Sequence, residues 1–102
     1  MKIVGVTSCP SGVAHTYMAA EALVLAGKNH GVEVIVETQG GSGIENQLKK
    51  KDIDEAVCVI LTNDVSIKGE ERFKGKKVLR MGVSDVIKKA DAIVTKIVKT
   101  FK

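Results

Sequence analysis

Four runs of β-branched and aliphatic residues alternate with helical stretches, and this alternation restricts the fold more than any other feature of the sequence. The runs are Lys2 to Thr7, Val32 to Thr38, Ala56 to Thr62 and Lys77 to Met81. A helix is predicted from about Ala14 to Lys28, with Ala14, Met18, Ala22 and Leu25 spaced to share one face and Gly31 as its stop. Gln39 to Gly43 reads as a loop, Ile44 to Lys50 as a short helix, and the stretch from Asn63 to Gly75 as an irregular connection. The last helix runs from about Asp85 to Thr100, with Ser84 as N-cap and Val86, Ile87, Ala90, Ile93, Val94, Ile97, Val98 and Phe101 as its apolar stripe.

Strands alternating with helices imply an α/β fold, a parallel sheet covered on both faces. The first and third runs are nearly continuous in apolar residues, as central strands should be. The second alternates Val32, Val34 and Val36 with Glu33 and Glu37, and the fourth carries Lys77 and Arg80, so both are placed at edges. Right-handed crossovers then give an open four-stranded parallel sheet of order 2-1-3-4, a Rossmann-like three-layer sandwich. Its switch point lies between strands one and three, where ligands enter such sheets beyond the carboxyl ends. Cys9 follows strand one there, Asn63-Asp64 follow strand three, and the loop beginning at Thr38-Gln39 opens on the same edge.

With 102 residues, 44% of them hydrophobic, the chain is expected to form one domain, 1–102. The longest aliphatic run, Ala56 to Leu61, has six residues, whereas a membrane span needs about 20. Met1-Lys2-Ile3-Val4 enters a strand pattern at once, so a secretory leader is not expected. Cys9 and Cys58 read as free thiols, Cys58 as core. A net charge of +4 spread along the chain, with Tyr17, Phe73 and Phe101 outside the lysine clusters, argues against nucleic-acid binding. Gly40-Gly41-Ser42-Gly43 lacks the spacing of a dinucleotide fingerprint. His30, beside the helix stop, is expected to be exposed.

The chemistry concentrates in Ser8-Cys9-Pro10-Ser11-Gly12-Val13-Ala14-His15-Thr16, a thiol at a strand-to-helix turn. Unpaired N–H groups and the helix dipole favour an anion at such a place. A cysteine of ordinary pKa, about 8.5, becomes half ionised at pH 7 if that value falls by about 1.5, roughly 2 kcal/mol. A helix N-terminus supplies about 0.3–2 kcal/mol of this. Pro10 donates nothing, Ser11 through His15 bring backbone donors, Gly12 lets the chain curl toward an oxyanion, and Ser11 and Thr16 add hydroxyls. The turn suits a thiolate and, equally, a phosphoryl group on its sulfur. Cysteine phosphatases have a similar layout with an arginine six residues after the cysteine; here that position is His15, which cannot make the bidentate fork. With no aspartate evidently poised to activate water, a phosphocysteine that resists hydrolysis is expected.

Cys9 to Thr16 with Met18-Ala19-Ala20-Glu21-Ala22-Leu23, Val36-Glu37-Thr38-Gln39-Gly40, Gly43-Ile44-Glu45-Asn46, Asp64 and Glu71-Arg72-Phe73-Lys74-Gly75-Lys76 resembles the fructose-specific enzyme IIB component of the bacterial phosphoenolpyruvate-dependent sugar phosphotransferase system (PTS). Gly41-Ser42-Gly43 and Val65 to Gly69 depart from that pattern. The resemblance implies a phosphotransferase in which Cys9 takes phosphate from a phosphohistidine of a IIA protein or domain. The group then passes to fructose, or a fructose-like sugar, held by the membrane IIC permease. It implies no cofactor or metal, and a cytoplasmic location at the inner face of the membrane through IIC. Within it, Cys9 is the catalytic residue and Pro10, Ser11, Gly12, Val13, Ala14, His15 and Thr16 form the phosphate-binding loop. Thr38, Gln39, Asp64 and Arg72 support the site or meet a partner, against the plainer readings of a turn aspartate and a solvated arginine. The alternatives are a cysteine phosphatase-like hydrolase and a non-catalytic module that senses phosphorylation.

Overall fold

The computed structural model describes residues 1–8, 13–40, 43–62, 64 and 66–101. Among these, five strands form one sheet: β1 (Lys2–Ser8), β2 (Glu33–Gly40), β3 (Gly43–Glu45), β4 (Cys58–Thr62) and β5 (Val78–Met81). The helices are α1 (Val13–Asn29), α2 (Lys50–Glu55) and α3 (Val83–Phe101), with a 3₁₀ turn at Glu70–Phe73. The order is β3-β2-β1-β4-β5. Its four parallel strands follow the expected 2-1-3-4. The expectation of a purely parallel, four-stranded sheet is corrected by β3, which runs antiparallel to β2.

That strand occupies the place assigned to a loop and to the start of a short helix. Three residues are too few to display a period of two. What holds β3 is local pairing, Thr38 with Glu45 and Gln39 with Ile44, and a turn at Asn46, whose φ is 54° and whose side-chain amide donates to Val36 O at 3.0 Å. The short helix accordingly starts later, at Lys50, with Leu48 and Ile53 buried.

Successive side chains of a strand point to opposite faces, and β1 divides its residues between two cores in this way. Ile3 packs with Ala19, Leu23, Val34, Ile60 and Val94 beneath α1 and α3. Val4 and Val6 pack with Leu48, Ile53, Leu61 and Phe73 on the α2 side. Helices therefore cover both faces, as expected. The face of α1 is corrected: Ala14, Met18 and Leu25 are exposed and Ala22 only half-buried, while Thr16, Ala19, Leu23 and Ala26 are buried. Alanine is small enough to let the helix lie close to the sheet, so the larger apolar residues do not mark the buried side. Gly31, at φ 69°, ends the helix as expected, with Val32 N–H donating to Gly27 O at 2.8 Å and Gly31 N–H to Lys28 O at 3.3 Å. His30 is exposed, and its Nε2 lies 3.0 Å from Asp91 Oδ1 and 3.1 Å from Thr95 Oγ1 of α3.

The α3 stripe buries Val86, Ala90, Val94 and Ile97, while Phe101 is exposed. The start of α3 differs from expectation. Val86 N–H donates to Gly82 O at 3.1 Å, so Ser84 lies inside the helix and Gly82 takes the capping position. Cys58 is a free, fully buried thiol in the α1/α3 core, and that burial pushes its pKa up.

Candidate functional site

β1 ends at Ser8 and α1 begins at Val13, so Cys9, Pro10, Ser11 and Gly12 connect them and lie outside the described residues. Two buried hydroxyls brace both ends of this connection. Thr62, at the end of β4, accepts the Ser8 N–H at 2.8 Å and donates to Ser8 O at 3.0 Å. Thr7 donates to Thr16 O at 3.0 Å and so ties the first turn of α1 to β1. A threonine in an otherwise apolar central strand is costly to bury without such partners. Thr7 and Thr62 were not singled out from the sequence, although a hydroxyl ending an apolar run was the signal available.

The first turn of α1 contains Val13, Ala14, His15 and Thr16 and no acidic residue. Its leading N–H groups have no intrahelical acceptor, and the helix dipole adds positive potential there. His15 is exposed and Thr16 is buried. On the neighbouring strand, Thr38 and Gln39 stand in register with Thr7 and Ser8, so both meet the expected edge.

Beside them lies a buried ion pair that corrects two readings. The alternation of the second run reads Glu37 as a polar residue of an edge strand; it is 0% exposed, on a strand flanked by β1 and β3. Arg72 was weighed against a solvated surface role. Instead its Nη1 and Nη2 donate to Glu37 Oε1 and Oε2 at 2.7 and 3.1 Å, and its Nε donates to Gly69 O at 2.7 Å. Burial alone would raise the Glu37 pKa. The Arg72 guanidinium, the Gln39 amide and the Leu48 N–H together outweigh it and hold the carboxyl below the usual range. Asp64 is on the other side of the switch point, where Oδ2 accepts the Val83 N–H at 2.6 Å. It caps α3 in place of the side chain that Gly82 lacks. Among the described residues no group of three or more His, Cys, Asp or Glu side chains is arranged to hold a metal ion.

Fold and frame together define an open α/β domain that presents a cysteine segment between the carboxyl end of its first strand and the start of its first helix. Residues 4–96 match the family described as the lactose/cellobiose-specific IIB subunit of the PTS. The fructose-like EIIB component 2 of the PTS of Escherichia coli K12 is 60% identical over 96 residues, covering 94% of this chain and 91% of that protein. A fructose-specific EIIABC component of Bacillus subtilis is 44% identical over 95 residues, 93% of this chain but 15% of that protein. The solution structure of an enzyme IIB subunit of the PTS from E. coli K12 superposes with a TM-score of 0.91 at 40% identity, covering 97% of this chain and 92% of that one.

The chain belongs to the IIB subunit family of the PTS. It is a phosphotransferase, a phosphoryl-relay subunit of a family in which a phosphocysteine mechanism is typical. Domains of this kind also occur within longer EIIABC and EIIBC chains. Among the described residues no helix is long and apolar enough to cross a membrane.

Proposed function

We propose that Cys9 is the residue phosphorylated in the relay and that the sugar served is fructose or a close relative. The Cys9 thiolate attacks the phosphorus of a phosphohistidine on a IIA protein or domain. The P–S bond forms as the P–N bond breaks, and the histidine, its other ring nitrogen already protonated, leaves as the neutral imidazole. A hydroxyl of the sugar held by the IIC permease then attacks the same phosphorus, its proton passing to a base in the sugar site, and the thiolate is regenerated. Pro10 leads into the phosphate-binding loop without donating, Ser11 through Thr16 receive the phosphoryl oxygens through backbone N–H groups and hydroxyls, and the chain works in the cytoplasm, meeting the membrane through IIC. Thr38, Gln39, Asp64 and Arg72 support this site by fixing the strand ends and connections around it.

The observation that carries this reading is the braced frame: buried Thr7 and Thr62 fix the last residue of β1 and the first turn of α1 on either side of Cys9. Identity of 60% with a fructose-like component supports the sugar class. Incubation with a phosphorylated IIA protein of a fructose-type system tests it. Mass spectrometry should find a stable phosphate adduct on Cys9, absent in Cys9→Ser. Adduct at another residue, or rapid release of inorganic phosphate in place of an adduct, would overturn the assignment.

A further inference from the structure

Helix α1 is apolar on its outer side as well as on its inner one. Apart from His15, its 17 residues carry two charged side chains, Glu21 and Lys28. By contrast, α3 turns Lys88, Lys89, Asp91, Lys96 and Lys99 to solvent. Ala14, Met18, Glu21, Leu25 and Lys28 follow one another at spacings of four and three, so they form one stripe of α1, and all five are exposed. Met18 is 49% and Leu25 59% exposed. Helices with apolar residues all round are ordinarily covered all round. Leu25 also borders a cleft of about 570 Å³ between α1 and the β2–β3 edge, where Val24 and Val36 supply apolar wall and Tyr17, Thr38 and Asn46 polar wall.

The two charges on the stripe say what covers it. Glu21 and Lys28 stand two turns apart, about 10 Å along the axis, and neither forms an ion pair among the described residues. Glu45, across the cleft, is already engaged by the Tyr17 hydroxyl, which donates to it. An acid and a base flanking a leucine make a pattern that is its own complement under a two-fold rotation. Set antiparallel to a second α1, with the axis passing between Val24 and Leu25, Glu21 of each copy falls beside Lys28 of the other. Both Leu25 side chains then meet at the axis. A stripe of one sign would call for an unlike partner; this one is satisfied by itself.

We infer that the outer stripe of α1 is an isologous interface through which two copies of this chain pair, with Leu25 of each seated against the cleft of the other. Because α1 ends at Asn29, an axis between Val24 and Leu25 limits the helix overlap to residues 20–29. Residues 13–19, next to the cysteine segment, stay clear of it, so pairing leaves the outer side of the first turn of α1 uncovered. So short an overlap buries less than the roughly 800 Å² per partner of a standard interface. The dimer is therefore weak and depends on concentration.

Sedimentation velocity of the full chain at low salt, from micromolar to millimolar concentration, tests this. Wild type should pass from monomer to dimer across that range. Leu25→Gln, at an exposed position, should weaken association by about tenfold with unchanged thermal stability. Glu21→Lys and Lys28→Glu should each weaken it, because each sets like charges against one another twice. An equimolar mixture of those two variants should associate as strongly as wild type, since every lysine then faces a glutamate. A wild type that stays monomeric, a dimer indifferent to Leu25→Gln, or a mixture no stronger than its components would overturn the inference. So would slower phosphorylation of Leu25→Gln by a phosphorylated IIA protein under conditions where both chains are monomers, which would give the stripe to the donor instead.

Discussion

Replacing Arg72 by methionine keeps an apolar stem beside Phe73 but leaves Glu37, 0% exposed, without its cation. Breaking a buried pair from one side costs about 3–5 kcal/mol. Glu37 retains the Gln39 amide and the Leu48 N–H, so the lower end, about 3 kcal/mol, is expected at pH 7. For a domain of this size that is a fall in Tm of roughly 12–24 °C. The sign of the pH dependence identifies the cause. In the wild type the Glu37 pKa is depressed, so its stabilisation is present above the unfolded value of about 4.3 and is lost only as pH falls through the lowered one. In Arg72→Met burial dominates and the folded pKa lies above the unfolded one. The ionised carboxylate then destabilises the native state at neutral pH, and protonation relieves it. The deficit should shrink toward about 1 kcal/mol near pH 4.5, the residue being lost hydrogen bonds to Lys68 and Gly69. Urea unfolding of both proteins at pH 7 and 4.5 measures this. Glu37→Gln added to Arg72→Met should restore part of the stability at pH 7. Equal deficits at the two pH values, or a double variant no more stable than Arg72→Met, would refute the argument.

Thr62→Val removes the hydroxyl that holds the backbone N–H and carbonyl of Ser8; it should cost about 1–3 kcal/mol by urea unfolding and also slow phosphate transfer. Asp64→Ala uncaps α3 and should lose about 1 kcal/mol, whereas Asp64→Asn, which keeps an acceptor for the Val83 N–H, should lose less. Cys58 is fully buried with its pKa raised, so iodoacetamide at neutral pH should modify it only after unfolding, as peptide mapping would show.

Elements governed by strong periodicity were legible in the sequence, and those governed by a few specific bonds were not. The α3 stripe and the apolar runs of β1 and β4 place their own cores, and the order of the parallel strands follows from which runs alternate. β3 has no pattern to read, because its register comes from pairing with Thr38 and Gln39 and from the turn at Asn46. The buried face of α1 was misjudged because Thr16, Ala19 and Ala26 are inconspicuous beside Met18 and Leu25. Glu37 looked like an edge residue because alternation records that a polar side chain is present, not that Arg72, 35 positions away, neutralises it. Asp64 as the cap of α3 is likewise a contact across 19 positions. The Cys9 segment reads as a motif in the sequence and lies outside the described residues, while the bracing of Ser8 by Thr62 and of Thr16 by Thr7 required the strands to be assembled first.

The placement of charge also bears on why this fold would pass a phosphoryl group on instead of releasing it to water. Closing a phosphate loop for hydrolysis takes an arginine free to fork over the oxygens. The chain has two, Arg72 and Arg80, and both are bound to carboxylates, Glu37 and Glu70. Freeing Arg72 would strip a buried carboxylate of its cation, a cost of about 3–5 kcal/mol that sets against any gain over the phosphoryl group. Meanwhile the frame is braced from below, by buried Thr7 and Thr62, and the outward side of the first turns of α1 keeps Ala14, His15 and Met18 exposed. A relay has to meet two partners in succession at one atom. Bracing Ser8 and the first turn of α1 from the core while Ala14, His15 and Met18 stay exposed serves that requirement, and holding Arg72 against buried Glu37 withdraws a side chain that a hydrolase would close over the phosphoryl group.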